Sequence, residues 1–255
     1  MILLKSLRTI FLRLPWSVTL LCIVILAFCL RLGVWYCDPV ISRDGISYIL
    51  LAETLRKSDG NFEVLAQMRG EYRQSPFFIS ILASDIFGAS PHLIALTMNI
   101  VLGSLFSVVI YMIFMQLSKK STIALTGALF VAVHPTLINY SIEVQREMGY
   151  LFFSGCCFFF LFGEWGGRPW YWSAVTAVTA VLAFFFRYEG LELFIFCGII
   201  YLILLKQNFK WKEWGRGVVF VLSVILAIVM ILLSCQKSPA KWFKNSLDKI
   251  TYRIR

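Results

Sequence analysis

The chain has 255 residues, of which 59% are hydrophobic and 15% charged, and its mean hydropathy is +0.78. Soluble domains run at about 45–50% apolar and about 25% charged, so an ordinary cytosolic enzyme, a disordered chain and a collagen-like chain are excluded and the solvent is lipid. The formal net charge of +10 fits cytoplasmic loops and anionic lipid rather than nucleic acid, because no basic strip interleaved with aromatics lies outside the apolar segments.

In chain order, Lys5, Arg8 and Arg13 precede an apolar run over 17–36. The run is long and no A-x-A-like site follows it, so an uncleaved first span is expected rather than a signal peptide. Residues 37–92 form the first outer loop, with Ser42-Arg43-Asp44-Gly45 near its start. Tyr48, Leu51, Ala52 and Leu55 then recur at i, i+3, i+4 and i+7, the pattern of an amphipathic helix able to lie on the membrane. The apolar segment 76–87 carries Asp85 and is too short to span, so an interfacial helix is expected there. Further spans are expected over 93–117, 122–140, 144–162, 170–186, 188–205 and 218–235, with a kink or helix end at His134-Pro135. The expected fold is all-α: a single polytopic domain over 1–255 with about seven transmembrane helices, interfacial helices in the first outer loop, and a basic tail over 236–255.

The loops give an orientation. With the N-terminus inside, cytoplasmic segments hold Lys5, Arg8 and Arg13, then Lys119 and Lys120, Arg168, and Lys206, Lys210, Lys212 and Arg216, whereas the outer turns hold Arg146 and Arg187. That bias is the positive-inside pattern. The basic tail runs against it after an odd number of spans; a larger outer part or a last segment that does not cross would account for this. Most acidic residues map to the outer side, among them Asp38, Asp44, Glu53, Glu143, Glu147, Glu189 and Glu192, so chemistry is expected on that face. The seven cysteines form no CxxC and read as small hydrophobes, with Cys37 the one plausible loop thiol. His92 and His134 are far apart and suggest no metal site. No motif calls for a cofactor, and a divalent metal is left open.

Three places hold residues suited to chemistry. Asp44 has two readings: a general base able to take a proton from an acceptor hydroxyl, or the N-cap of the following helix. Glu143, Arg146, Glu147 and Tyr150 share one helix face by spacing; ionisable groups at membrane depth mark functional sites, while an interfacial ion pair is the plainer reading. Arg187, in Arg187-Tyr188-Glu189-Gly190, offers a fork suited to phosphate, or else snorkels to the headgroups.

Taken together, these pieces resemble the GT-C class of polytopic glycosyltransferases, which includes protein O-mannosyltransferases and the aminoarabinose transferases that act on lipid A. The resemblance rests on order. Ser42-Arg43-Asp44-Gly45-Ile46-Ser47-Tyr48 opens the first outer loop, and Ser75-Pro76-Phe77-Phe78 leads an apolar segment to Ile86-Phe87-Gly88. A span ending in Lys119-Lys120 follows, then His134-Pro135, Arg146-Glu147-Met148-Gly149-Tyr150, and last Phe186-Arg187-Tyr188-Glu189-Gly190.

The resemblance implies a polyprenyl-phosphate sugar as donor and catalysis on the periplasmic or extracellular face of the cell membrane. It casts Asp44 as base or acceptor-orienting group, Glu147 and less directly Glu143 as the second acidic site, and Arg187 as the holder of the donor phosphate. Tyr48, Arg146, Tyr150 and Glu189 would support them. The acceptor would be a lipid, a glycan or a protein. The chain is shorter than such enzymes usually are, so the alternative expectation is a truncated or degenerate relative that binds lipid or a partner membrane protein. Transporters often carry inverted repeats and broken helices at the midplane; neither is read here, and the polar residues gather at one face.

Overall fold

A computed structural model describes residues 15–39, 41–61, 64, 76–84, 88–165, 171–207 and 215–225. Asp85, Arg168 and the 236–255 tail, all used in the sequence reading, lie outside the described residues. The described elements are helical: α1 (Trp16–Cys37), α2 (Arg43–Lys57), α3 (Pro76–Ala83), α4 (Pro91–Ser118), α5 (Ser121–Val133), α6 (Pro135–Ile142), α7 (Glu147–Trp165), α8 (Trp172–Phe186), a 3-10 turn (Tyr188–Gly190) and α9 (Leu191–Gln207), then α10 (Gly215–Ile225). No strand occurs among the described residues.

Helices α1 and α4 are each long and apolar enough to cross a membrane, and the pair α5 and α6, bent by 53°, passes the same test together. Among the described residues the chain is therefore all-helical, with two or three candidate membrane spans by length and composition. Crossing about 30 Å of hydrocarbon takes about 20 residues. Helix α8 has 15 residues and α9 has 17, because the apolar stretch they share is interrupted at Arg187 and the 3-10 turn.

The bend between α5 and α6 falls at His134-Pro135, where the sequence places it. Pro135 has no N–H to continue the ladder, and His134 sits in the β region at φ −66° and ψ 121°. Helix α1 shows what lipid does to a surface. Its buried residues, Thr19, Ile23, Ala27 and Arg31, recur every fourth position as one narrow stripe, while Leu21, Ile25, Phe28 and Leu32 are exposed. A helix apolar all round, with its apolar side chains uncovered, is at home in hydrocarbon and not in water.

That stripe ends on a fully buried cation. The Arg31 guanidinium donates from Nε to Ser141 Oγ at 3.0 Å, and from Nη1 to the Ala27 carbonyl at 2.9 Å and the Ala132 carbonyl at 3.2 Å. Ala132 lies in the last turn of α5, whose terminal carbonyls lack helical partners and carry the negative end of the dipole. Arg31 therefore caps the broken helix and ties it to α1 and to α6. Gly103 of α4 makes room for it, since a Cβ there would lie 2.8 Å from Arg31 Nε.

Helix α2 covers the end of the bundle that carries the charged groups. Its face of Tyr48, Leu51, Ala52 and Leu55, the one given by the spacing, is 0–4% exposed. It packs in one cluster with Phe78, Ile79 and Leu82 of α3, Ile94 and Ala95 of α4, Val144, and Phe186 at the end of α8. Arg56 fastens the other end of α2, donating to the carbonyls of Ala83, Ser84 and Ala89 at 3.3, 2.9 and 3.0 Å.

Candidate active site

The N-cap of α2 is Ser42, whose hydroxyl accepts from Gly45 N at 3.1 Å. Asp44 is thus not the cap; it lies in the first turn, exposed, where a carboxylate is favoured by the helix dipole. A Cβ on Gly45 would stand 3.2 Å from Val144 Cβ and 3.3 Å from its carbonyl. The start of α2 therefore lies directly against the turn that joins α6 to α7.

That turn is held from below by one side chain. Asn99, fully buried in the apolar helix α4, donates through Nδ2 to the carbonyls of Glu143 at 2.9 Å and Gln145 at 2.7 Å. Gln145 Nε2 in turn donates to the Glu143 carboxylate. The strap delays α7, which begins at Glu147 rather than at the 144 expected from hydropathy. Glu147 consequently stands in the first turn of α7.

Arg187 arrives from the opposite side, in extended backbone just after α8. Its Nη1 donates to Glu147 Oε1 at 2.9 Å. Its Nε and Nη2 clasp both oxygens of Glu189 at 3.2 and 3.1 Å, a bidentate pair, and its guanidinium carbon lies 5.9 Å from the centre of the Tyr150 ring. Burial pulls its pKa down, but the Glu189 hydrogen bond and the charges of Glu147 and Glu189 outweigh this and raise it overall. Gly149 permits the approach: a Cβ there would sit 2.2 Å from Phe186 Cδ1 and Cε1, so α7 and the end of α8 close on each other only because that position has no side chain.

Tyr48 reports on the whole cluster. Its ring is 4% exposed and packs edge-on against Phe78 with centroids 5.0 Å apart. Burial pushes its phenol up to about 12, and the charges of Arg146, Glu147, Asp44 and Arg187 act on it in that order of strength. Asp44, Glu147 and Arg187, distant along the chain, therefore lie within electrostatic reach of one phenol, and two of them are in direct contact. Arg146 differs from Arg187 in having Nε and Nη1 buried without an acceptor among the described residues. No group of three or more His, Cys, Asp or Glu is placed to hold a metal ion among the described residues.

Asn99 and Arg31 escaped the sequence reading. The available signals were a lone amide and a lone cation inside apolar spans, where polar groups are costly to hold.

Residues 75–238, close to two thirds of the chain, match the dolichyl-phosphate-mannose-protein mannosyltransferase family. No curated protein and no solved structure matches the chain. On the family match, the chain belongs to the dolichyl-phosphate-mannose-protein mannosyltransferase family, a GT-C glycosyltransferase family whose donors are polyprenyl-phosphate sugars. Glu147 and Arg187 lie within the matched residues, and Asp44 and Tyr48 precede them.

Proposed function

We propose that the chain is an active membrane glycosyltransferase, moving a sugar from a polyprenyl-phosphate donor to an acceptor hydroxyl on the outer face of the membrane. The observation that carries this reading is the contact of Glu147 with Arg187, 40 residues apart in sequence, beside a tyrosine on which Asp44 also acts. Family membership supports the donor class; the acceptor is a lipid, a glycan or a protein.

The roles follow from the chemistry of the step. The acceptor oxygen attacks the anomeric carbon, forming the new glycosidic bond, and the bond from that carbon to the phosphate oxygen breaks with its electron pair going to the departing polyprenyl phosphate. Asp44, exposed at the first turn of α2, takes the proton released by the hydroxyl. Such general-base help is worth about 10²–10⁴ in rate. Arg187, oriented by Glu147 and Glu189, faces the charge that grows on the leaving phosphate, and fixed cationic groups aimed at developing charge act most strongly where water is excluded. An arginine has five N–H donors; three of those on Arg187 are engaged by Glu147 and Glu189, and the remainder are available to phosphate oxygens. In this reading the N-terminus is cytoplasmic, the apolar segments make about seven crossings, and α2 and α3 lie at the outer interface.

The test is transfer of labelled sugar from a polyprenyl-phosphate donor in detergent. Asp44→Asn removes the base while keeping the shape, and is expected to lower turnover by about 10²-fold or more with insertion and unfolding temperature unchanged. Full activity in that variant would overturn the assignment. Arg187→Ala is expected to show chiefly as a weaker dependence on donor concentration.

A further inference from the structure

Arg146 is a cation in search of an anion. Its Nε and Nη1 are buried and have no acceptor among the described residues, a condition uncommon in folded proteins and one that an ion or a catalytic role can explain. The carboxylates beside it in sequence are engaged elsewhere: Glu147 accepts from Arg187 and Glu143 from Gln145. Arg146 nonetheless belongs to the cluster, since its charge is the strongest of those acting on Tyr48. Its place is fixed through the backbone, where Asn99 holds the carbonyls on either side of Val144 and Tyr150 N donates to the Arg146 carbonyl at 3.1 Å.

A count of local charge shows what the position is for. Arg187 is paired with both Glu147 and Glu189, so that triad is negative overall, and Asp44 adds to it. A phosphate approaching Arg187 alone would meet a surplus of negative charge. Among the described arginines whose charge acts on Tyr48, Arg146 is the one with no carboxylate in contact, and it stands one residue before the Glu147 that anchors Arg187.

We propose that Arg146 is the principal anchor of the donor's phosphate, its guanidinium taking phosphate oxygens that the protein itself does not supply. The inference rests on the transferase reading and sharpens it: Arg187 meets the phosphate with the donors its carboxylates leave over, and Arg146 with a guanidinium that no carboxylate of the cluster engages. A phosphodiester carries one negative charge in the sugar-linked donor, and the released polyprenyl monophosphate carries more as its second ionisation develops. Arg146 therefore holds the departing group more tightly than the intact donor, which favours bond breaking.

The experiment measures binding to the full chain in detergent, with polyprenyl monophosphate as probe and polyprenol, phosphatidylglycerol and inorganic phosphate as comparisons. The wild type is expected to prefer polyprenyl monophosphate over all three. Arg146→Gln is expected to weaken polyprenyl monophosphate binding by about tenfold or more, as loss of a charged hydrogen-bond partner does, while binding of polyprenol is unchanged; Arg146→Lys falls between, having charge without the fork. Wild-type affinity in a folded Arg146→Gln variant overturns the role of Arg146 and leaves the transferase reading standing. A wild type that binds polyprenol as well as polyprenyl monophosphate overturns the transferase reading itself. Equal binding of phosphatidylglycerol or inorganic phosphate overturns the donor assignment in favour of a general anion site. If Arg146→Gln does not fold, arginine-directed dicarbonyl modification of the wild type decides: polyprenyl monophosphate is expected to protect Arg146, and absence of protection overturns the proposal.

Discussion

Gly149→Ala adds one carbon at the point where α7 meets the end of α8. The new Cβ would stand 2.2 Å from Phe186 Cδ1 and Cε1 and 2.7 Å from its Cγ, against an ordinary carbon–carbon contact of about 3.5–4.0 Å. One element must therefore give way by more than about 1 Å. Phe186 has little room to do so, being 2% exposed and packed against Phe77, Phe78 and Phe153 with ring centroids 5.6, 6.1 and 5.6 Å away. Two effects compete. Alanine in place of glycine within a helix is worth about 0.5–1 kcal/mol, whereas overpacking of a filled core costs about 1–3 kcal/mol. The expected balance is a loss of about 1–2 kcal/mol, which lowers the unfolding temperature of a chain this size by several degrees.

The effect on transfer is expected to be larger, because Phe186 directly precedes Arg187. A shift of about 1 Å opens the 2.9 Å contact between Arg187 and Glu147, and misplacement on that scale can lower turnover by about 10²-fold. Thermal unfolding and labelled-sugar transfer on the same detergent preparation measure both. Gly198→Ala is the control: a Cβ there meets nothing within 4 Å, so it should leave stability equal or slightly raised and turnover unchanged. Wild-type stability and turnover in Gly149→Ala would refute the close-approach argument.

Arg31→Ala removes the donors that hold the Ala132 carbonyl and Ser141 and leaves a void in a fully buried position, so a loss of about 3–5 kcal/mol is expected by thermal unfolding; Arg31→Lys should rescue little, since an ammonium cannot reach three partners in a plane. Asn99→Leu strips the donor from the Glu143 and Gln145 carbonyls and is expected to lower turnover more than stability, seen as a drop in kcat beside a small shift in unfolding temperature. Tyr48 gives a pH signature. Its phenol is raised from 10 to about 12 in the fold, so its contribution to stability is full below pH 10 and falls as pH rises from 10 toward 12, by about 2–3 kcal/mol in all. Tyr48→Phe should flatten that decline, and an unchanged alkaline slope would show that the buried phenol is not its source.

The parts of this fold that were legible in the sequence are those decided by neighbours a few residues away. The face of α2 could be read because Tyr48, Leu51, Ala52 and Leu55 alternate with Glu53, Arg56 and Lys57 over one short amphipathic stretch. The break before α6 could be read because proline lacks a donor. The break at Arg187 could be read as well, since the spans expected over 170–186 and 188–205 part there and α8 ends at Phe186. The late start of α7 was hidden, as it depends on Asn99, more than 40 residues upstream. Arg31 was passed over for the same reason: two of its three acceptors lie 101 and 110 residues away, and nothing in the run 17–36 announces those two.

Arg146 and Arg187 show where pattern stops and geometry begins. In sequence they look alike, each set beside a glutamate and a tyrosine. Arg187 is in extended backbone at φ −143°, which brings it and Glu189 to the same side, so the fork closes on its own near neighbour. Arg146 stands just before a helix in which successive residues point about 100° apart, so Glu147 turns away from it and toward Arg187. Adjacent residues at a helix start do not face each other. One arginine is thereby neutralised by the fold and the other is left with buried donors unmatched, a difference set by backbone direction alone and one that gives two like residues unlike work.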